Sequence, residues 1–477
     1  MALRLSSGDI AFGTSFAFLF SIFAVSLDWD LPILFGVAMF CVTVYLWISR
    51  HFWLECLFFL AALGCGVFYF HFYHNVVEAG TRLPFGKATT LTVLVSDEPQ
   101  PSEKFLIVPT RAEPPFSGAV TIFAPLASDF AYGDRLRASG ALEPPNPLGK
   151  GKDPVMFSPR LRILARHQGF LPREWMIDLK LGILKKFQEA LPPDEAALLG
   201  GITFGSKVSF KKEFKSAMAL SGTTHLVAVS GYNITIVILA VRGVFGRFFS
   251  RRVTFCIAVI FLILFMLMVG GAASGVRAAI MGFLALVARE AGRIFSMRNA
   301  ATITAAIMVL FDPTALTQNM SFILSFLSLL GIVYIGPPLK ALLNHTEGGV
   351  LDWKENGITT LSAQLAVLPV LINTFGQFSL IAIIANILVL STVPLTMFFG
   401  VLLALLGFLS THLAFFAGAL IGLLLDYQLA VIRLFATLAV PLPLPLNSTF
   451  AIAFYYAILI TFIVSYGSKQ HGISQAI

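Results

Sequence analysis

Charge is what this sequence has least of: 12% of its residues are Asp, Glu, Lys or Arg, against 57% that are hydrophobic. Soluble domains carry about a quarter charged residues, so a water-soluble globule is excluded and the bilayer is the expected solvent. Cysteine is scarce as well. Cys41, Cys56, Cys65 and Cys256 all fall inside apolar runs, where the side chain behaves as a small hydrophobe, and no structural disulfide is expected. Missing too are a glycine-rich phosphate loop, a His-Glu-x-x-His pair and a His-x-His-x-Asp-His cluster. Their absence argues against nucleotide- and metal-dependent hydrolysis, so neither enzyme activity nor a cofactor or metal is expected. No basic leader followed by a small-residue cleavage site opens the chain, and the first helix is expected to stay as an anchor.

Long apolar runs are what it has. Uncharged stretches run from Ile10 to Leu27, Leu31 to Ser49, Ser216 to Val241, Val253 to Val276, Pro313 to Leu339, Ile358 to Leu425 and Pro445 to Gly467. Since one span needs roughly 20 apolar residues, these predict a polytopic α-helical membrane protein of about 10–12 transmembrane helices. The basic residues Arg242, Arg247, Arg251, Arg252, Arg289, Arg293, Arg298, Lys340 and Lys469 sit in short loops or ends, which the positive-inside rule assigns to the cytoplasm. Asp28, Asp30 and Asp312 occupy the intervening turns. The alternation places the N-terminus in the cytoplasm and the single long polar insert outside.

That insert divides the chain. Residues 1–75 read as a three-helix membrane anchor, 76–175 as an external β domain, 176–192 as a surface helix and 193–477 as the main membrane block. In the insert, Thr90 to Val95 alternates polar and apolar residues, while Phe105 to Pro109 and Val120 to Ala124 are short apolar runs set off by turn residues. This pattern predicts a small antiparallel β structure, such as a barrel. Met176, Leu179, Ile183, Phe187 and Leu191 then recur at spacings of three and four among Lys180, Lys185, Lys186 and Glu189. They predict an amphipathic helix lying on the membrane surface.

Polar residues inside the membrane block are the candidates for function. Gly222-Thr223-Thr224-His225 and Ser230-Gly231-Tyr232-Asn233 bracket an apolar stretch. Irregular backbone at membrane depth survives only where protein or a wet cavity surrounds it, so a broken helix is expected here. Small polar residues also serve as plain helix contacts, and both readings stay open. Arg277, preceded by Gly270, Gly271 and Gly275, suits either a phosphate in a pore or a headgroup reached by snorkelling. Gln364, Asn373, Gln377 and Asn386 punctuate a charge-free region with amides, which suit a wet path or interhelical bonds. Asp426 and Arg433 share one helix face and are expected to find separate partners. Lys207, Lys211, Lys212 and Lys215 form a basic cluster fitted to nucleic acid or, by default, to anionic lipid.

Ala197-Leu198-Leu199-Gly200 followed by Gly222-Thr-Thr-His225-Leu-Val-Ala-Val-Ser230-Gly231 resembles the hallmark of the ComEC competence proteins. Gly275-Val276-Arg277-Ala278 is similar to the family's small-x-Arg-Ala motif, and Ser321 to Phe326 to its Phe-Gln-Leu-Ser-Phe. Ser362-Ala363-Gln364-Leu365, Pro369, Asn386 and Pro394 complete the order. Tyr132 to Leu136, Leu142 to Pro145 and Leu164 to Gly169 look like its external domain, for which the resemblance implies an oligonucleotide-binding (OB-like) barrel. Three departures stand out: Ile323 replaces the usual Gln, Asn233 replaces a second His, and the C-terminal metallo-β-lactamase-like nuclease domain of many members is not expected here.

The resemblance covers nearly the whole chain and implies a cytoplasmic-membrane channel for single-stranded DNA in natural transformation. A separate DNA receptor, nuclease and cytoplasmic motor are implied as partners, besides membrane lipids. His225, Ser230, Gly231, Arg277 and Gln364 are then expected to converge on one cavity, with Asn233 and Asn386 nearby along the path. A membrane enzyme or exporter acting on lipid-linked or cell-envelope material, with His225 as general base, is the alternative. A third reading is a scaffold whose polar membrane residues only hold helices together.

Overall fold

The computed structural model describes residues 7–27, 53–78, 83–86, 88–102, 104–144, 153–206, 210–229, 231–343, 353–375, 381–439 and 449–474. The expected helix at 31–49, Cys41, Lys207, Ser230 and Gln377 lie outside these residues. Helix α1 (Ser7–Ser26) packs against α2 (Trp53–Phe72). Glycine permits the approach: a Cβ on Gly13 would lie 2.2 Å from the Phe59 ring, and one on Gly66 would lie 2.0 Å from the Ser21 hydroxyl. Because residue 13 meets 59 and residue 66 meets 21, the two helices run parallel.

The polar insert forms a mixed sheet of β1 (Ala88–Val95), β2 (Gln100–Pro101), β3 (Phe105–Ala112), β4 (Gly118–Pro125), β5 (Arg135–Ala141), β6 (Val155–Phe157) and β7 (Arg160–Ala165). Its order is β6-β4-β3-β1-β5-β7, with β2 on β3. Only the β4–β6 pairing is parallel. An antiparallel bridge between Glu143 and Val155 joins the extension of β5 to β6, which rolls the sheet on itself. The alternation seen in the sequence puts Leu91, Val93, Val95, Val108, Ile122 and Leu136 in a fully buried core, as a half-solvated sheet requires.

Helix α3 (Leu171–Ala190) begins five residues before the expected start, with proline in its first turn, where the missing N–H costs nothing. Its buried face differs from the predicted stripe. Ile177 and Phe187 are buried, but so are Glu174 and Lys180, while Trp175, Leu179 and Leu181 are exposed. The reason is electrostatic. Glu174 bonds the His167 ring and Lys180 bonds Glu98, so paired charges dock the helix against the sheet domain.

The membrane block follows as α4 (Pro193–Phe204), α5 (Lys212–Leu220), a 3-10 turn (Thr224–Val227), α6 (Gly231–Phe245), α7 (Arg251–Val269), α8 (Ala273–Glu290) and α9 (Met297–Phe311). Then come α10 (Ala315–Gln318), α11 (Met320–Tyr334), α12 (Gly336–Leu342), α13 (Trp353–Phe375), α14 (Ala382–Leu390), α15 (Val393–Leu409), α16 (Thr411–Leu438) and α17 (Thr449–Ser474). Among the described residues five helices are long and apolar enough to cross a bilayer, and α14 with α15, bent by 45°, makes a sixth. The shorter apolar helices Asn233–Phe245, Met297–Phe311 and Phe450–Tyr466 add to them. The chain is a polytopic helical membrane protein with a small sheet domain. Counting uncharged runs cannot reveal breaks such as those at residues 221–229 and 391–392.

The two poles of the block are distinct. The C-terminal cap of α7, Gly270, approaches Asp97 and Arg173 of the sheet–α3 junction. At the other end of α7, Arg251 bonds Glu290 at 3.0 Å. Nearby, Arg298 pairs with Asp9 of α1.

Candidate functional site

The broken segment is built on glycines. Helix α5 stops at Ser221, and Gly222 turns the chain with φ +69, a conformation that side chains beyond glycine rarely adopt. A Cβ there would lie 2.3 Å from the Ala382 Cβ of α14. The 3-10 turn then gives way to extended backbone at Ala228 before α6 starts. Leaving the helix does not strand its amides: Thr223 N–H donates to Met218 O at 2.9 Å and Leu226 N–H to Thr223 O at 3.0 Å. The Ser221 and Thr223 hydroxyls, both fully buried, bond each other at 2.8 Å.

Valines wedge the segment into its surroundings. Val227 packs on Gly201 of α4, and Val229 packs on Gly205 and Gly275. A Cβ on Gly231 would lie 3.8 Å from the Ala278 Cβ of α8, an ordinary van der Waals distance. The break therefore lies between α4, α8 and α14. The His225 ring bonds the backbone of Gly222. Its surface remains exposed, as does that of Thr224.

The other predicted residues are placed as follows. Asn233 is buried, and its amide donates to Ile202 O at 2.8 Å. That bond ties the start of α6 to the end of α4. Arg277 points across to α11, where Nη1 donates to the Ser325 carbonyl and the guanidinium lies 5.9 Å from the Phe326 ring. It is half-buried, and its Nε is buried with no hydrogen-bond partner within the described chain. Gln364, half-buried on α13, and Asn386, buried on α14, likewise leave Oε1 and Oδ1 without partners.

Arg277 and Gln364 both sit on helices packed against α11. Close packing between α11 and α13 depends on Gly331, whose Cβ would lie 2.4 Å from the Ser362 carbonyl. Gly222, at the start of the His225 turn, meets Ala382 at the start of the helix that carries Asn386. Among the described residues these polar groups lie on neighbouring helices, and neither of the two cavities described below is lined by them. Lys211 is held 3.5 Å from Asp194, and Lys215 is exposed.

Other polar groups escaped the sequence reading. Gln428 of α16 is fully buried and donates to the Thr392 and Thr396 hydroxyls at 2.8 and 2.7 Å, leaving its own oxygen unpartnered. Asp194 and Glu195 open α4 next to α16. Arg433 bonds Asp194 at 2.7 Å, and Asp426 bonds Glu195 through their carboxyl groups, which takes a proton held between them. Asp426 and Arg433 thus have separate partners, as their spacing suggested. An acidic pair directly after two prolines and before an apolar helix was the available signal.

Residues 202–469, more than half of the chain, match the family model described as competence protein. The chain belongs to the competence protein family. A curated relative, ComE operon protein 3 of Bacillus subtilis (strain 168), is 28% identical over 221 residues. That alignment covers 45% of this chain and 26% of the relative, so the shared stretch is a minor part of the longer protein. No solved structure matches. The region that carries competence-family similarity contains the broken segment, Arg277, Gln364 and Asn386, while the sheet domain precedes it.

Proposed function

We propose that this competence-family protein admits single-stranded DNA across the cytoplasmic membrane, with its N-terminus and basic pole inside and its sheet domain outside. One observation carries the reading: among the described residues Arg277, Gln364 and Asn386 each keep a buried polar atom without a partner on helices of the membrane block. Such groups are costly in hydrocarbon, and native proteins retain them where a ligand or water completes them. A strand supplies what they lack, since phosphate oxygens accept from guanidinium and base edges exchange hydrogen bonds with amides.

In this scheme DNA meets the sheet domain first. A cleft of about 240 Å³ between the Glu98–Pro99 loop and helices α3 and α4 carries Lys185, Gln188 and Ser206 on its walls and suits the mouth of the path. The strand then passes the exposed His225–Thr224 surface and the half-buried Arg277. Phosphate contact at Arg277 lowers the cost of taking the strand's charge into low dielectric. The residues provide guidance and no driving force, so a separate receptor, a nuclease and a cytoplasmic motor complete the system.

An enzymatic reading needs a carboxylate or second base beside His225. The His225 ring bonds only backbone, and no carboxylate among the described residues adds to its electrostatic surroundings. The test is uptake of labelled DNA into cells carrying the intact gene, a deletion, Arg277→Ala or Arg277→Lys, with membrane abundance measured in each. The channel reading predicts loss in the deletion and at least a tenfold drop for Arg277→Ala at normal abundance, with Arg277→Lys in between. Unchanged uptake in the deletion of a competent strain without a second homologue overturns it.

A further inference from the structure

A cavity of about 590 Å³ lies away from the broken segment, between the ends of α6, α7 and α8 at the pole opposite the sheet domain. Arg242, Arg247, Arg251 and Arg289 line it, together with Glu290 and Thr254. Four guanidinium groups against one carboxylate leave a surplus of three positive charges. Among the described residues only Arg251 of the four has an acidic partner, Glu290 at 3.0 Å. Arg251 also donates to the Arg289 carbonyl, which fixes it between α7 and the end of α8. Arg289 and Arg251 stand close enough to Arg242 for like charges to repel. Arginines crowded in this way around an open volume are stabilised by an anion that bridges them.

The surroundings identify the kind of anion. Phe249, 49% exposed, lines the cavity, and Phe248, Val244, Phe261 and Val287 on the same three helices and the turn that joins the first two are 78%, 57%, 42% and 37% exposed. A free phosphate has no use for this apolar flank. A phospholipid does, because its headgroup phosphates enter the arginine cavity while its acyl chains lie along the outward faces of α6, α7 and α8. We propose that this cavity is a binding site for an anionic phospholipid headgroup carrying two phosphates. A surplus of three positive charges, on Arg242, Arg247, Arg251 and Arg289 against Glu290, suits a two-phosphate group better than a single one. Occupancy neutralises the repelling arginines and ties the three helix ends together, independently of any DNA passage.

The test uses the full chain purified in detergent and stripped of lipid, followed by native mass spectrometry and thermal melting. Cardiolipin, phosphatidylcholine, inorganic pyrophosphate and a 20-mer of deoxythymidine are added separately. The site predicts retained cardiolipin adducts and a melting temperature raised by several degrees with cardiolipin alone. Arg242→Gln with Arg289→Gln is expected to cut cardiolipin affinity at least tenfold while leaving the lipid-free melting temperature in place. Should the pair fail to fold, Arg247→Gln and Arg289→Gln made singly, both at exposed positions, must each weaken binding. Wild-type affinity in the variants, an equal shift from phosphatidylcholine, or displacement of the lipid by pyrophosphate or the oligonucleotide at matching concentration each overturns the proposal.

Discussion

Replacing Gly222 by alanine acts on the turn that makes the membrane segment non-helical. Two costs arise there. With φ at +69, any side chain pays the left-handed penalty of about 1–2 kcal/mol. The added Cβ would also meet the Ala382 Cβ at 2.3 Å, whereas the Ala382 Cα stands at an ordinary 3.5 Å. Overpacking of this kind costs about 1–3 kcal/mol, so Gly222→Ala is expected to destabilise the protein by about 2–5 kcal/mol. The clash comes from one atom, which makes the reasoning separable. Adding Ala382→Gly removes that atom, restores the overpacking share and leaves about 1–2 kcal/mol of backbone strain. Unfolding of the single and double variants in detergent, with labelled-DNA uptake at matched abundance, measures both parts. If the double variant is no more stable than Gly222→Ala, or if Gly222→Ala is silent, the break is not held against α14 as described.

Three further outcomes are expected. Lys180→Met leaves Glu98 without its partner at the sheet–helix junction. Lys180 is 5% exposed and Glu98 25%, so the loss, about 2 kcal/mol after allowing for Glu98's partial access to water, should appear as faster proteolysis between the sheet domain and α3. The same junction responds to pH, because bonding to Glu174 raises the His167 pKa above its ordinary 6.5. A raised folded-state value stabilises fully below pH 6.5 and is lost as pH rises through the higher value. Melting of the junction should therefore weaken from mildly acidic to neutral pH in the native chain, and His167→Gln should flatten that slope. Gly331→Ala drives a Cβ to 2.4 Å from the Ser362 carbonyl and 2.6 Å from the Ala366 Cβ. It is expected to cost about 1–3 kcal/mol, the range for overpacking, measured as a lower melting temperature of the purified protein.

The fold class was legible because charge and apolar runs report the solvent directly. Alternation in Thr90 to Val95 likewise reported strand β1, since one face had to be buried. The face of α3 was not legible, because Glu174 and Lys180 are buried only through His167 and Glu98, which lie outside the helix. Periodicity sees one helix at a time. The same limit explains Arg277: its isolation among apolar residues marked it, but the Ser325 carbonyl and the Phe326 ring that hold it come from a segment remote in sequence. Asn233 stood beside the glycine-marked break and shared its local signal, yet its bond to Ile202 depends on how α4 and α6 meet. Glu195 was missed because a carboxyl at a helix start ordinarily faces water, and only α16 brings Asp426 against it.

Translocation itself is the most direct thing to measure. Purified protein in sealed liposomes, all else absent, is given a fluorescent single-stranded oligonucleotide outside and a strand-trapping protein inside, and the nuclease-protected fluorescence is followed. The account predicts protection that needs the protein, is weak for duplex DNA, and falls at least tenfold with Arg277→Ala in equally loaded vesicles. Protection that is the same in empty and loaded liposomes, or the same for Arg277→Ala and the native chain, contradicts it.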